Sequence, residues 1–199
     1  MTEVARPRGF DETTVLRCAR DRFWPSGFAG TSIDEVAAAT GLGKGSLYGA
    51  FGDKRQLYLR VFDGYCTEVT EATRRSLSGP DDGAYARLRA HVLAVAEATA
   101  RDAGHLGCLL ANGTAELAGQ EPAVADRAHR TFEALEDALV ECIQQAQRQG
   151  DIAPAADARR HGRLLLAVLR GIEALGKANA DKRSLRSIAE AALDTLPRP

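Results

Sequence analysis

Residues 31–54 read TSIDEVAAATGLGKGSLYGAFGDK. Ser32 with Glu35 three residues later has the pattern of a capping box, Thr31 being the other residue able to cap. It opens a short helix whose inner face is Ile33, Val36 and Ala37, and Gly41 breaks that helix. Leu47 and Phe51, four apart, face inward from a second short helix, and Asp53 is placed to cap a third. Apolar residues that lock two short helices together, a small Ala37 that lets them approach and a glycine at the turn are what a helix-turn-helix needs.

Upstream, Val15, Ala19 and Phe23 recur at helical spacing with Leu16 beside them, on a helix expected over Phe10 to Phe23 and ended by Pro25 and Gly27. Three such helices can close a small core and leave the second short helix free to enter a major groove. Its exposed positions would be Gly43, Lys44, Gly45, Ser46, Tyr48, Gly49 and Ala50. Small residues allow close approach to DNA, while Lys44, Ser46 and Tyr48 can donate to phosphates or base edges. The same spacing also suits a three-helix packing unit that binds nothing.

Downstream the period stays helical and no alternating strand pattern appears. A helix over 54–77 carries Tyr58, Phe62, Tyr65 and Val69. Gly79-Pro80-Asp81-Asp82 turns the chain into a helix marked by Tyr85, Leu88, Val92, Val95 and Thr99. A short apolar helix runs from Cys108 to about Leu117. Pro122 starts a long one with the stripe Val124, Ala128, Phe132, Leu135, Leu139, Ile143 and Ala146, ending at Gly150. Asp157 opens a helix apolar around most of its surface, and the last helix carries Leu185, Ile188, Ala189, Ala192, Leu193 and Leu196. The expectation is an all-α chain of about nine helices: a DNA-binding head over 1–53 and a larger helical body over 54–199, with the helix after Asp53 serving both.

The 199 residues are 45% hydrophobic and 27% charged, enough to bury a core and too apolar for disorder. The uninterrupted aliphatic run Leu164–Leu169 is far short of the roughly 20 residues of a membrane helix, and no secretory leader pattern opens the chain, so a cytoplasmic protein without a membrane partner is expected. The net charge of −1 excludes a uniformly polycationic nucleic-acid binder. Its distribution is more informative: residues 1–60 hold nine Lys/Arg against seven Asp/Glu, and the rest seventeen against twenty, a basic head on an acidic body.

Catalytic and metal chemistry find no support. Gly41-Leu42-Gly43-Lys44-Gly45-Ser46 lacks the spacing of a phosphate loop and no strand precedes it. His129 and Glu133 share a helix face without a third ligand. Cys18, Cys66, Cys108 and Cys142 are far apart and suit small buried apolar positions. No cofactor, catalytic residue or metal site is expected. A third alternative is a helical protein that binds small molecules and no DNA, which a gel shift would separate.

The strings Gly27-Phe28-Ala29-Gly30-Thr31-Ser32-Ile33-Asp34-Glu35-Val36-Ala37 and Gly41-Leu42-Gly43-Lys44-Gly45-Ser46-Leu47-Tyr48-Gly49-Ala50-Phe51-Gly52-Asp53-Lys54 resemble the N-terminal signature of the TetR family of one-component repressors. The resemblance implies an all-helical homodimer, joined through its last two helices, that binds palindromic double-stranded operator DNA and is released by a small-molecule inducer held in the body. Carried over by position, it implies DNA contacts at Thr31, Lys44, Gly45, Ser46, Leu47, Tyr48 and Lys54, with Thr31 and Lys54 on phosphate. Gly43 departs from the Ser or Thr cap usual in the family, and Gly49-Ala50 from its bulkier side chains, leaving fewer donors to bases.

For the body, Tyr65, Tyr85, His91, Asn112 and Phe132 are candidate lining residues of an inducer cavity. The segment Gly107–Asn112 resembles the start of the sixth helix in many family members, where burial is the default for the cysteine, and in one electrophile-responsive branch the matching cysteine is the sensor and a lysine pairs with its oxidised form. Cys108 and Lys177 occupy those positions here.

Overall fold

The computed structural model describes residues 10–199. These form nine helices and no strand: α1 (Glu12–Gly30), α2 (Ile33–Thr40), α3 (Lys44–Phe51), α4 (Lys54–Leu77), α5 (Ala84–Arg101), α6 (Leu109–Leu117), α7 (Pro122–Gln149), α8 (Ala158–Lys177) and α9 (Lys182–Asp194). The chain divides into two compact units, one up to Gly64 and one from Tyr65 to Pro199. The division falls inside α4, later than the boundary read at Asp53. The first turns of α4 bury Leu57, Tyr58, Val61 and Phe62, and Tyr58 packs edge-on to Phe23 at 5.1 Å, which ties those turns to the first unit.

In the first unit Asp11 caps α1 by accepting from the amides of Thr13 and Thr14. Phe23 was the expected end of this helix, but it continues through Pro25 and is interrupted only at Gly27, where φ is +73°. Carbonyls left open by this break are taken by a side chain: Thr31 Oγ1 donates to Gly27 O at 2.8 Å and Arg22 O at 3.2 Å. The capping box of α2 is complete, with Glu35 N–H donating to Ser32 Oγ and Ser32 N–H to Glu35 Oε2. These bonds hold the Glu35 carboxyl below the usual range. A second box opens α4. Asp53 Oδ1 accepts from Gln56 N–H at 2.7 Å, and Gln56 Oε1 accepts from Asp53 N–H at 3.2 Å. The preceding Gly52 sits at φ +77°, a conformation that favours glycine, and a Cβ there would displace the Gln56 side chain that closes this box.

The core of this unit joins Val15, Ala19 and Phe23 of α1 with Val36, Leu47, Phe51, Tyr58 and Phe62. Its centre is aromatic, with Tyr58 5.3 Å from Phe28 and 6.0 Å from Phe62.

The second unit is a layered helix packing built on α5, α7, α8 and α9 around Leu88, Val92, Leu139, Ile143, Leu165, Leu169, Ile172, Leu185 and Ala189. α8 approaches α7 so closely at Gly162 that a Cβ would stand 2.6 Å from Val140 Cγ2. The apolar surround of α8 is divided: Leu165, Leu169 and Ile172 point inward, while Leu164 and Leu175 remain 40% and 43% exposed. In the second half of α4 the inward residues are Cys66, Thr70, Thr73 and Leu77, with Tyr65 and Val69 only half-buried. Thr70 is tolerated inside because its hydroxyl donates to Cys66 O at 2.8 Å. Thr131 likewise displaces Phe132 from the core of α7, its hydroxyl donating to Arg127 O. No helix among the described residues is long and apolar enough to cross a membrane.

Candidate nucleic-acid interface

α3 is eight residues long and has two unlike sides. Leu47 and Phe51 are buried in the unit's core, 1% and 4% exposed, and fix the helix beside α2. The other side presents Lys44, Gly45, Ser46, Tyr48 and Gly49 to solvent, with Tyr48 46% exposed. A Cβ added at Gly43, Gly45 or Gly49 would meet nothing within 4 Å. Glycine inside a helix costs about 1 kcal/mol relative to alanine. No packing within this chain requires that cost at Gly45 or Gly49, which leaves a thin surface open to close approach from outside.

Two cations flank this surface, each held by the fold. Lys44 Nζ lies 2.6 Å from Asp34 Oδ1 of α2, which raises the lysine's pKa, chiefly through that hydrogen bond. Lys54, at the start of α4, lies with Nζ 4.4 Å from the centroid of the Phe28 ring, a cation–π contact that holds the side chain in place.

Two of the expected DNA contacts do not fit. Thr31 is 3% exposed and its hydroxyl proton is already donated to main-chain carbonyls, so its side chain is committed to ending α1 and not to phosphate. Leu47 is a core anchor of α3 and cannot face a groove. Lys44, Gly45, Ser46 and Tyr48 share the exposed side of α3, and Lys54 follows at the next helix start. Asp34 and Phe28, which orient the two lysines, were missed by the sequence. Asp34 is the second residue of its capping-box helix, a place where acidic residues are common for dipole reasons alone.

In the second unit the residues chosen for a ligand cavity separate. Tyr65 and Cys108 meet, with Tyr65 OH donating to Cys108 Sγ at 3.6 Å. The cation at this thiol is Arg170, whose Nη1 donates to Sγ at 3.0 Å and lies 2.8 Å from Glu173 Oε2. Lys177 does not supply it: it is exposed at the end of α8, only its stem approaching the backbone of Gly107. Burial pushes the Cys108 thiol up, against the pull of Arg170, and pushes Tyr65 and Glu173 up as well. His91 is buried beside this group, with Nδ1 3.0 Å from Ser76 Oγ, and burial with help from Arg170 holds its pKa down to about 4. Asn112 is a loop tie, its Nδ2 donating to Leu106 O at 2.8 Å. Tyr85 lies elsewhere, under the guanidinium of Arg198.

Two cavities of this unit are lined by none of the residues expected to bind a ligand. One of about 310 Å³ opens between the end of α4 and α7, at Arg74, Leu77, Ala138, Glu141 and Cys142. Another of about 570 Å³ opens at the start of α8, at Ala155, Asp157, His161, Leu164 and Thr195. Sequence reasoning also missed Arg170 and Glu173. The signal was present: two opposite charges three residues apart interrupt the apolar positions of α8.

A capped short helix, a left-handed glycine turn and a displayed second helix over a closed core define the first unit as a helix-turn-helix domain. Residues 15–61 match the description "Bacterial regulatory proteins, tetR family", and residues 84–192 match "Tetracyclin repressor-like, C-terminal domain". The chain belongs to the TetR family of transcription regulators, whose members bind DNA and are not enzymes. It is 24% identical over 192 residues to the HTH-type transcriptional repressor ComR of Escherichia coli (strain K12), covering 96% of this chain and 91% of that one. It is 29% identical over 145 residues to the HTH-type transcriptional repressor BdcR of the same organism, covering 72% and 71%. Among solved structures, a cysteine mutant of the TetR family regulator CifR complexed with 26 bp double-strand operator DNA superposes with a TM-score of 0.79 at 25% identity, covering 96% of this chain and all of that one.

Proposed function

We propose that this protein is a ligand-responsive repressor that binds a palindromic operator as a homodimer and is released by a small-molecule inducer. The observation that carries the DNA half is the exposed side of α3, where Lys44, Ser46 and Tyr48 stand among glycines that nothing in the chain fills. Lys54 supplies a phosphate contact beside it. Support for the DNA partner comes from the CifR structure complexed with operator DNA.

The dimer forms through α8 and α9. Leu164, Val168, Gly171 and Leu175 follow one another along one side of α8, both leucines are exposed, and a Cβ at Gly171 would meet nothing. An exposed apolar stripe of this kind suits a second copy, since a two-fold partner brings the same stripe to meet it. Two half-sites about 34–36 Å apart then take one head each.

The inducer site belongs to the second unit, where Tyr65, Cys108 and Arg170 form a buried polar group. Arg170 Nε there has no hydrogen-bond partner, a cost that an anionic or carbonyl ligand would relieve. α4, which passes from one unit into the other, carries the coupling, typically about 1–3 kcal/mol in such switches.

The test is a gel shift of the full-length protein on fragments selected from the source genome, repeated over a range of salt. Binding that weakens steeply with salt and saturates at two protomers per fragment is expected. Absence of any shift would end the proposal.

A further inference from the structure

Lys44 does not face solvent as a free cation. Its ammonium is 2.6 Å from Asp34 Oδ1, and the two side chains come from different helices of the helix-turn-helix. Both remain more than half exposed, at 52% and 68% of the side chain, so the pair belongs to the same surface as Ser46 and Tyr48. As a stabilising contact an exposed pair is worth little. Its effect on what the surface can bind is larger.

An ammonium has three donors and no acceptor. Asp34 takes one and leaves two. The carboxylate also cancels the lysine's charge locally, so a phosphate approaching the pair meets an anion as well as a cation. A guanine edge in the major groove is different: O6 and N7 are two neighbouring neutral acceptors, and lysine donates to them in many complexes. The two remaining donors of Lys44 match that edge in number and are not opposed by its charge. Lys54 differs in having an uncharged ring beneath its ammonium, with Glu35 acting on it only through space, and suits phosphate.

We propose that Asp34 is a positioning residue that makes Lys44 a reader of guanine O6 and N7, leaving the phosphate role to Lys54. This inference rests on the proposal that α3 binds duplex DNA. In its absence Lys44 would be released to the nearest phosphate, and the protein would hold random-sequence DNA more tightly and its selected site less tightly.

The experiment uses full-length protein and a duplex recovered with it from a randomised library, with sonicated random-sequence DNA as the second probe. Asp34→Asn is expected to weaken the selected duplex about tenfold. On random DNA it should bind more tightly, its salt slope steeper by about one unit because one more cation reaches phosphate. Replacing guanines singly with 7-deazaguanine should reveal a position where wild-type affinity falls and that of Lys44→Ala does not. A purely structural role would change the melting temperature and leave the ratio between the two probes unmoved. The inference is overturned if Asp34→Asn strengthens both probes equally, or if no guanine position is silent in Lys44→Ala. Failure of the wild type to retain any duplex would instead overturn the DNA-binding proposal itself, and this inference with it.

Discussion

α3 and α8 both keep one side in the core and one side in water, and the two exposed sides are opposites. That of α3 is glycine, serine, lysine and tyrosine, with empty space above each glycine. That of α8 carries Leu164 and Leu175 at helical spacing, with the half-buried Val168 between them. A surface depleted of side-chain bulk, with donors at its edges, suits a hydrated and charged partner that must come close to the backbone. A surface of exposed leucines gains free energy only by leaving water, roughly 25 cal/mol for each Å² of apolar area covered. The same architectural device, a helix half-committed to the core, thus serves two kinds of partner, and the outward residues decide which.

The sharpest break of this comparison is between neighbours on α3. Leu47→Ala should cost about 2–5 kcal/mol of stability in the first unit, measured by urea unfolding. Tyr48→Ala, one residue on, should change stability by no more than about 0.5 kcal/mol while weakening DNA binding. Similar losses for both would mean that α3 has no outward side.

The inward side of α8 is probed by pH. His91, held near pKa 4 partly by Arg170, titrates at about 6.5 when unfolded. The unfolded chain therefore binds more protons between these values, and stability is full above pH 6.5 and falls as the pH drops towards 4. The loss should reach about 3 kcal/mol. His91→Gln should flatten that part of the profile, and an unchanged profile would place the titration elsewhere.

On the outward side of α8, Leu164→Arg combined with Leu175→Arg should give a folded monomer in sedimentation. Its operator affinity should fall by about 100-fold or more, through loss of bivalency. A dimer that survives both changes would move the interface away from α8.

Gly45→Ala sets stability against function on α3. It should stabilise the first unit by about 1 kcal/mol, since the new methyl meets nothing in the chain. DNA affinity should nevertheless fall, and affinity that rises with stability would show that nothing approaches closely there. The smallest effect is expected of Lys54→Ala, which should lower the salt slope of binding by about one unit. An unaltered slope would remove Lys54 from the phosphate contacts.

Much of this molecule was legible in its sequence. The capping box at Ser32–Glu35 and the cap at Asp53 are local patterns, realised by hydrogen bonds three residues apart whatever surrounds them, although the return bond from Gln56 went unread. The apolar period of α1, α7 and α9 declared which sides turn inward, because burial of one stripe is the only way such helices gain stability. The displayed positions of α3 followed from the same period.

The errors came where a polar side chain's partner is a main-chain carbonyl or a residue distant in the chain. Thr31 has the type and place of a phosphate contact, yet the break at Gly27 exposes carbonyls that claim its hydroxyl. Thr70 and Thr131 look polar and lie inside, because each can satisfy its hydroxyl on its own helix. Lys177 stands in sequence where a thiol's cation was expected, but Arg170 on the inward side of α8 reaches Cys108.

Sequence alone determined the helices, their caps and the side of α3 that faces out, since those depend on contacts within a few residues. Only the tertiary structure decided which charged groups meet, Lys44 with Asp34 and Cys108 with Arg170, because an ion pair between helices depends on how the helices pack and leaves no period in the chain.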